Sequence, residues 1–197
     1  VHFTGGKNGL GNYPGSILTP FEIIYSENRP FVDKNNNPEE LFTRHWGKAI
    51  IRLPNGELIT VHSAHLWPFK KEERDTEIRL AEIDELLKSI EYDLKHNTKS
   101  VLLQGDLNQV PDTPEYRKYI NGGLLDTFEK AKDKEGLNTI NSINPTRRID
   151  YIFAKGKIEN QITDHKVLFE GNFRTNNDDP SAYALSDHLP VMIEFEI

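Results

Sequence analysis

The chain has 197 residues, 36% of them hydrophobic and 10% aromatic, enough to close the core of one ordinary domain. Its 24 Lys and Arg stand against 31 Asp and Glu, and the net charge of -7 gives no global attraction to a polyanion such as duplex DNA. The lack of cysteine excludes disulfides, thiolate-ligated zinc and thiol catalysis, and no apolar run approaches the roughly 20 residues of a membrane-spanning helix.

Thr4 to Ser16, rich in Gly and Asn, reads as an irregular loop ahead of Ile17 and Leu18. Phe21 to Tyr25 predicts a short strand. Ser26 to Glu40 predicts a loop by turn chemistry, carrying Pro30, Asp33, Asn35-Asn36-Asn37 and Pro38. Lys48 to Leu53 and Glu57 to His65 flank Pro54-Asn55-Gly56, and Asn-Gly between apolar runs is a strong hairpin signal. Lys71 to His96 predicts the main helix, because Ile83, Leu86, Leu87, Ile90 and Leu94 recur on one face at three- and four-residue spacing. Val101-Leu102-Leu103, stopped by Gly105, reads as a central strand buried on both faces. Ile149 to Ala154 and Val191 to Ile197 predict further strands, the last alternating apolar residues with Glu194 and Glu196. No repeat or boundary divides the chain, so residues 1–197 are expected to form a single domain.

Four short clusters carry side chains able to do chemistry. Gln104-Gly105-Asp106-Leu107-Asn108 sets a carboxylate and a carboxamide two residues apart beyond a buried strand, where extended chain aims both to one side. The carboxylate suits Mg²⁺ or a water, and the neutral amide both donates and accepts; a plain turn fits the same letters. Asp150 points opposite to Ile149 and Tyr151 in an otherwise apolar strand, and near a core it needs a partner such as His188; an edge strand would instead face it to water. Ser186-Asp187-His188-Leu189-Pro190 holds an Asp-His pair suited to proton transfer, although such pairs are also frequent in surface loops. In His62-Ser63-Ala64-His65 the two imidazoles of an extended strand face opposite ways, which argues against a shared zinc. His65, at the strand end, is the chemical candidate and His62 the structural one.

In order and together, Ser63-Ala64-His65-Leu66, Gly105-Asp106-Leu107-Asn108, Arg148-Ile149-Asp150-Tyr151-Ile152-Phe153 and Ser186-Asp187-His188 resemble the motifs of the endonuclease/exonuclease/phosphatase superfamily, the deoxyribonuclease I-like proteins. Arg79 and Gly15-Ser16-Ile17-Leu18 also fall where that pattern expects them. The resemblance implies an α+β fold, a four-layer αββα sandwich with its site at the strand ends between the sheets. It also implies hydrolysis of a phosphate ester by water with Mg²⁺ or Mn²⁺. By the same implication Asp106 and Asn108 position the water and a phosphate oxygen, and Asp187 lies at the metal with Asp106 as second choice. Asp150 orients His188, whose imidazole serves as base or transition-state donor, and His65 contacts the phosphate.

The family's early Asn-bearing strand and its Gln-Glu pair have no counterpart here. The sandwich is therefore expected to lack its N-terminal strands, with the principal metal-ligating Glu upstream of Val1. Glu22 follows the Ile-Leu segment and is not promoted to that role. Three functions share these residues: a phosphodiesterase, with nucleic acid among its compatible substrates; a phosphomonoesterase or phospholipid or inositol-phosphate hydrolase; and a noncatalytic binding domain. The loops Leu66 to Arg74 and Gly171 to Pro180 are expected to choose the substrate, and Trp67 and Phe69 beside His65 fit ring stacking and packing equally. Composition leaves the compartment and oligomeric state open, a secreted or periplasmic location being compatible.

Overall fold

The computed structural model of the chain describes residues 1–3, 15–31, 45–170, 174–176, 178–182 and 184–197. Most of the expected N-terminal loop, the later part of the loop at 26–40 and part of the loop at 171–180 lie outside the described residues. In chain order the elements are β1 (His2–Phe3), β2 (Gly15–Ser16), β3 (Glu22–Pro30), β4 (His45–Arg52), β5 (Leu58–Ala64), α1 (Glu73–His96), β6 (Ser100–Asp106), α2 (Pro114–Asn121), β7 (Leu125–Asp126), α3 (Thr127–Lys130), β8 (Asp133–Glu135), β9 (Asp150–Gly156), β10 (Ile162–Val167) and β11 (Val191–Phe195). A six-stranded sheet runs β3-β4-β5-β6-β9-β7 and a three-stranded one β11-β10-β8. Only the β5–β6 pair in the large sheet is parallel, and α1 is the crossover that such a pair requires.

Alternation along the central strands builds two cores. Val101, Leu103, Tyr151 and Phe153 pack with Ile83, Leu86 and Ile90 of α1 and Tyr119 of α2. The intervening Leu102, Ile152 and Ala154 join Ala49, Ile51, Ile59 and Val61 against Ile162 and the half-buried Val191, Ile193 and Phe195 of the small sheet. The expected α+β sandwich is thus present, with one layer of helices and both sheets among the described residues. Helix α1 begins at Glu73, two residues later than its periodicity suggests, because Glu72 and Asp75 form a capping box there.

The loop expected from Ser26 is corrected: β3 continues to Pro30, paired with β4 from Glu22↔Arg52 to Pro30↔His45 with one register shift between Ile23 and Tyr25. Pairing along a neighbouring strand overrides local turn chemistry, and proline is tolerated because β3 is the sheet edge. Helix α2 has no apolar periodicity strong enough to read. Its signal is Thr113-Pro114, an N-cap whose hydroxyl accepts from Tyr116 N, followed by proline in the first turn.

Candidate active site

The β6–β9 register sets Asp106 directly across from Asp150. Both occupy the same alternating positions as Leu102, Ile152 and Ala154, so both face the gap between the sheets at the strand ends. Two carboxylates opposed across a strand pair repel one another, so the arrangement needs positive charge between them. Burial and then the charge of Asp150 push the Asp106 carboxyl up to about 6.

A histidine lies against both carboxylates. His188 Nδ1 lies 2.8 Å from Asp150 Oδ2, and its Nε2 lies 3.8 Å from Asp106 Oδ2. The hydrogen bond to Asp150 raises the His188 pKa against the opposing effect of burial. The Asp150 carboxyl oxygen accepts, so Nδ1 carries the hydrogen and Nε2 looks toward Asp106. Backbone bonds hold His188 there: Leu189 N donates to Thr139 O at 2.8 Å, Ser142 N donates to Asp187 O at 2.9 Å, and Ile140 bridges both His188 and Arg147. Thr139 Oγ1 in turn accepts from the Ile149 and Asp150 amides, tying this segment to the start of β9.

His65 reaches the same place from β5. Its Nε2 lies 3.4 Å from Asp106 Oδ2, and burial lowers its pKa, with the His188 charge adding to the effect. Glycine at 105 makes this approach possible. A Cβ there would stand 1.9 Å from Ala64 O, and its φ of +138° is one that side chains rarely adopt. His62 faces the helices instead, fully buried, with Nε2 2.9 Å from Asp93 Oδ2 and Asp93 also held by Lys48 at 2.8 Å.

Asn108 differs from its sequence-based expectation. The extended run ends at Asp106, and Asn108 takes a left-handed φ of 54°. Its amide donates to Leu66 O at 3.0 Å, so its side chain fastens the chain after His65 to the chain after Asp106. Its own N donates to Asp106 Oδ1 at 3.0 Å, orienting that carboxylate. Asp187 is exposed, and among the described residues the close group of potential metal ligands is Asp106, Asp150 and His188, with ligand atoms all within 4.8 Å of one another.

Within that group the two carboxylates fit a hard divalent cation. The opposed Asp106 and Asp150 supply oxygen ligands and leave coordination positions for water and substrate, as Mg²⁺ favours, while His188 Nε2 stays free beside them. Arg148 pairs with buried Asp126 at 2.6 Å. Arg79 donates to Glu115 Oε1 through Nε at 2.8 Å and Nη2 at 2.7 Å, and its remaining Nη1 reaches the Trp67 carbonyl at 3.3 Å and the Phe69 carbonyl. It thereby anchors the loop that follows His65. Sequence reasoning missed Glu115, which the Thr-Pro-Glu helix start would have placed beside α1 only once the packing was known.

No protein-family model matches the sequence, and no curated protein sequence matches it. Solved structures do. The mannosyl-6-phosphatase of Bacteroides thetaiotaomicron superposes with a TM-score of 0.73 at 20% identity over 90% of this chain and 67% of its own. The chain has the endonuclease/exonuclease/phosphatase fold. A second protein of that family from Bacteroides thetaiotaomicron gives a TM-score of 0.71 at 19% identity over 88% of this chain and 65% of its own. The beta toxin of Staphylococcus aureus, solved with bound magnesium ions, gives 0.54 at 22% identity over 77% of this chain and 57% of its own. The chain therefore spans about two-thirds of the length of the first two of these structures.

Proposed function

We propose that this chain carries the catalytic site of a metal-dependent phosphoesterase, with Mg²⁺ or Mn²⁺ as its ion. The observation that carries this reading is the convergence of Asp106, Asp150, His188 and His65 from four separate segments onto one strand end. The magnesium-bound neighbour and the phosphatase neighbour support it. Asp106 and Asp150 are the carboxylates grouped closely enough to hold the cation, whereas the sequence pattern assigns it first to Asp187 and second to Asp106. When bound, the cation supplies positive charge to the phosphoryl oxygens, where the transition state accumulates negative charge.

The protein groups do the rest. Asp150 accepts from His188 Nδ1 and so aims Nε2 into the cleft, where it takes a proton from the attacking water or donates to the phosphoryl group. Asn108 keeps Asp106 oriented through its backbone amide while Asp106 positions the water. His65, kept neutral by burial, offers a donor to the phosphate on the opposite side of Asp106.

His188→Ala is expected to lower kcat by about 10²- to 10⁴-fold on p-nitrophenyl or bis-p-nitrophenyl phosphate, with an unchanged circular dichroism spectrum. Near-normal turnover by that variant would overturn the assignment. A chelator should stop turnover and added Mg²⁺ or Mn²⁺ should restore it; activity indifferent to chelation counts against the metal.

A further inference from the structure

Of the two aromatic residues that follow His65, one packs and one does not. Trp67 is half-buried and its Nε1 donates to Asp75 Oδ1 at 2.7 Å, whereas Phe69 is 45% exposed. The rings meet edge to face, 76° apart with centroids at 4.9 Å, an arrangement that covers at most one face of Phe69.

Both line a cavity of about 520 Å³ at the start of α1, within the roughly 300–1,000 Å³ of small-molecule sites. Ile78 adds a third apolar wall, and the exposed Lys71 and Arg74 stand beside it. Asp75, also at the cavity, has both oxygens engaged: Oδ1 by the Trp67 indole, and Oδ2 by Lys71 N at 2.8 Å and Glu72 N at 3.0 Å. Glu72 belongs to the capping box with Asp75. What the walls present to a ligand is therefore apolar ring surface and cationic donors.

One peptide joins this cavity to the strand-end site. Leu66 N donates to Asp106 O at 3.0 Å, Leu66 O accepts from the Asn108 side-chain amide at 3.0 Å, and Trp67 is the next residue. Phe69 is four residues beyond His65, at most about 14 Å along the chain. The loop between them is held in place: Trp67 N donates to Glu82 Oε2 at 3.0 Å, and Arg79, 2% exposed and paired with Glu115, grips the Trp67 and Phe69 carbonyls. An exposed apolar ring on a fixed loop loses little freedom when a ligand settles on it.

We infer that this cavity is the subsite for the alcohol portion of the ester, and that this portion carries a planar aromatic ring stacked on the open face of Phe69. The phosphate half of the inference rests on the phosphoesterase reading above, and the ring half on the cavity. Stacking reads the face of a planar ring, while Lys71 and Arg74 supply donors to acceptors on its edge. A sugar ring fits less well, because its hydroxyls need acceptors as well as donors and both Asp75 oxygens are already bonded.

The test compares the parent protein with Phe69→Ala and Phe69→Leu in saturating Mg²⁺. The aromatic esters are adenosine monophosphate, phenyl phosphate and bis-p-nitrophenyl phosphate, and the others are mannose phosphate and glycerol phosphate. Each variant should lower kcat/KM by about tenfold on the aromatic esters that are turned over, and by less than about threefold on the other two. A larger loss on adenosine monophosphate than on phenyl phosphate supports a nucleobase as the ring, and the reverse supports a phenyl-type ring. Equal losses on all esters, or a loss on mannose phosphate as large as on the aromatic ones, overturn the subsite. A second readout needs no turnover. Trp46 is 2% exposed and Trp67 lines the cavity, so of the two indole N–H signals in a proton–nitrogen correlation spectrum that of Trp67 should move saturably with adenosine monophosphate. Phe69→Ala should weaken that binding about tenfold. A Trp67 signal that does not move, or an affinity unaltered in the variant, overturns the subsite. If the parent protein turns over none of the esters while the Trp67 signal still responds through Phe69, the phosphoesterase reading fails and the ring site stands.

Discussion

Gly105 shows how much one side chain's absence decides. Its missing Cβ lets the ends of β5 and β6 close up until His65 and Asp106 are 3.4 Å apart. Gly105→Ala places a methyl group against the Ala64 carbonyl in a backbone conformation that alanine rarely adopts. A loss of about 3 kcal/mol or more in urea denaturation is expected, together with reduced turnover. His165 is the residue-scale source of pH dependence. It is 2% exposed, its Nδ1 lies 2.9 Å from Thr127 Oγ1, and burial lowers its pKa to about 4. The unfolded chain takes up this proton below about pH 6.5 and the folded chain does not, so stability is complete above 6.5 and is lost as pH falls toward 4. The loss is on the order of 3 kcal/mol from this one group, and His62, lowered chiefly by burial, adds in the same direction. Asp106 and His188, both raised, oppose this over the same range, so the measure is the difference between two proteins. From pH 7 to 4.5 the parent's urea midpoint should fall relative to that of His165→Gln, and a constant difference counts against His165 as a source.

At the scale of elements, the sheet places chemistry and the helices hold it. The antiparallel register of β6 and β9 opposes two carboxylates, and no local signal encodes that register. Helices α1 and α2 fix the loop after His65 through the buried pair Arg79–Glu115. Arg79→Met leaves Glu115, 3% exposed, as an unmatched buried charge and frees the loop carbonyls. The expected cost is about 3–5 kcal/mol, and Arg79→Met with Glu115→Gln should recover much of it. Thermal unfolding of the three proteins checks this; a double variant no better than the single would mean that the loop contacts, not the charge pair, dominate. The helix periodicity of α1 was readable because its stripe of Ile83, Leu86 and Ile90 faces a single core. The second half of β3, Ser26 to Pro30, was not, because its strand character comes from β4 and not from its own turn-rich sequence.

For the whole molecule, binding of the cation should appear in stability as well as in rate. The folded chain opposes Asp106 and Asp150 while the unfolded chain separates them, so on the proposed function Mg²⁺ should bind the folded state preferentially. At about 100 times its dissociation constant the ion should add roughly 2.7 kcal/mol, and Asp150→Asn should remove most of that increment. An unfolding midpoint insensitive to Mg²⁺ would count against the site.

The sequence alone supplied the main helix and central strands, and its family resemblance pointed to the α+β sandwich and proposed His65, Asp106, Asn108, Asp150, Asp187 and His188 as a set. Those signals are local: apolar spacing, turn residues and short motifs are written in neighbouring letters. Only the tertiary structure decided that Asp106 faces Asp150, that Asn108 fastens Leu66 to the Asp106 turn, and that Asp187 stands outside the closest ligand group. Register, strand approach and long-range charge depend on which segments pack together, and packing is a property of the whole chain.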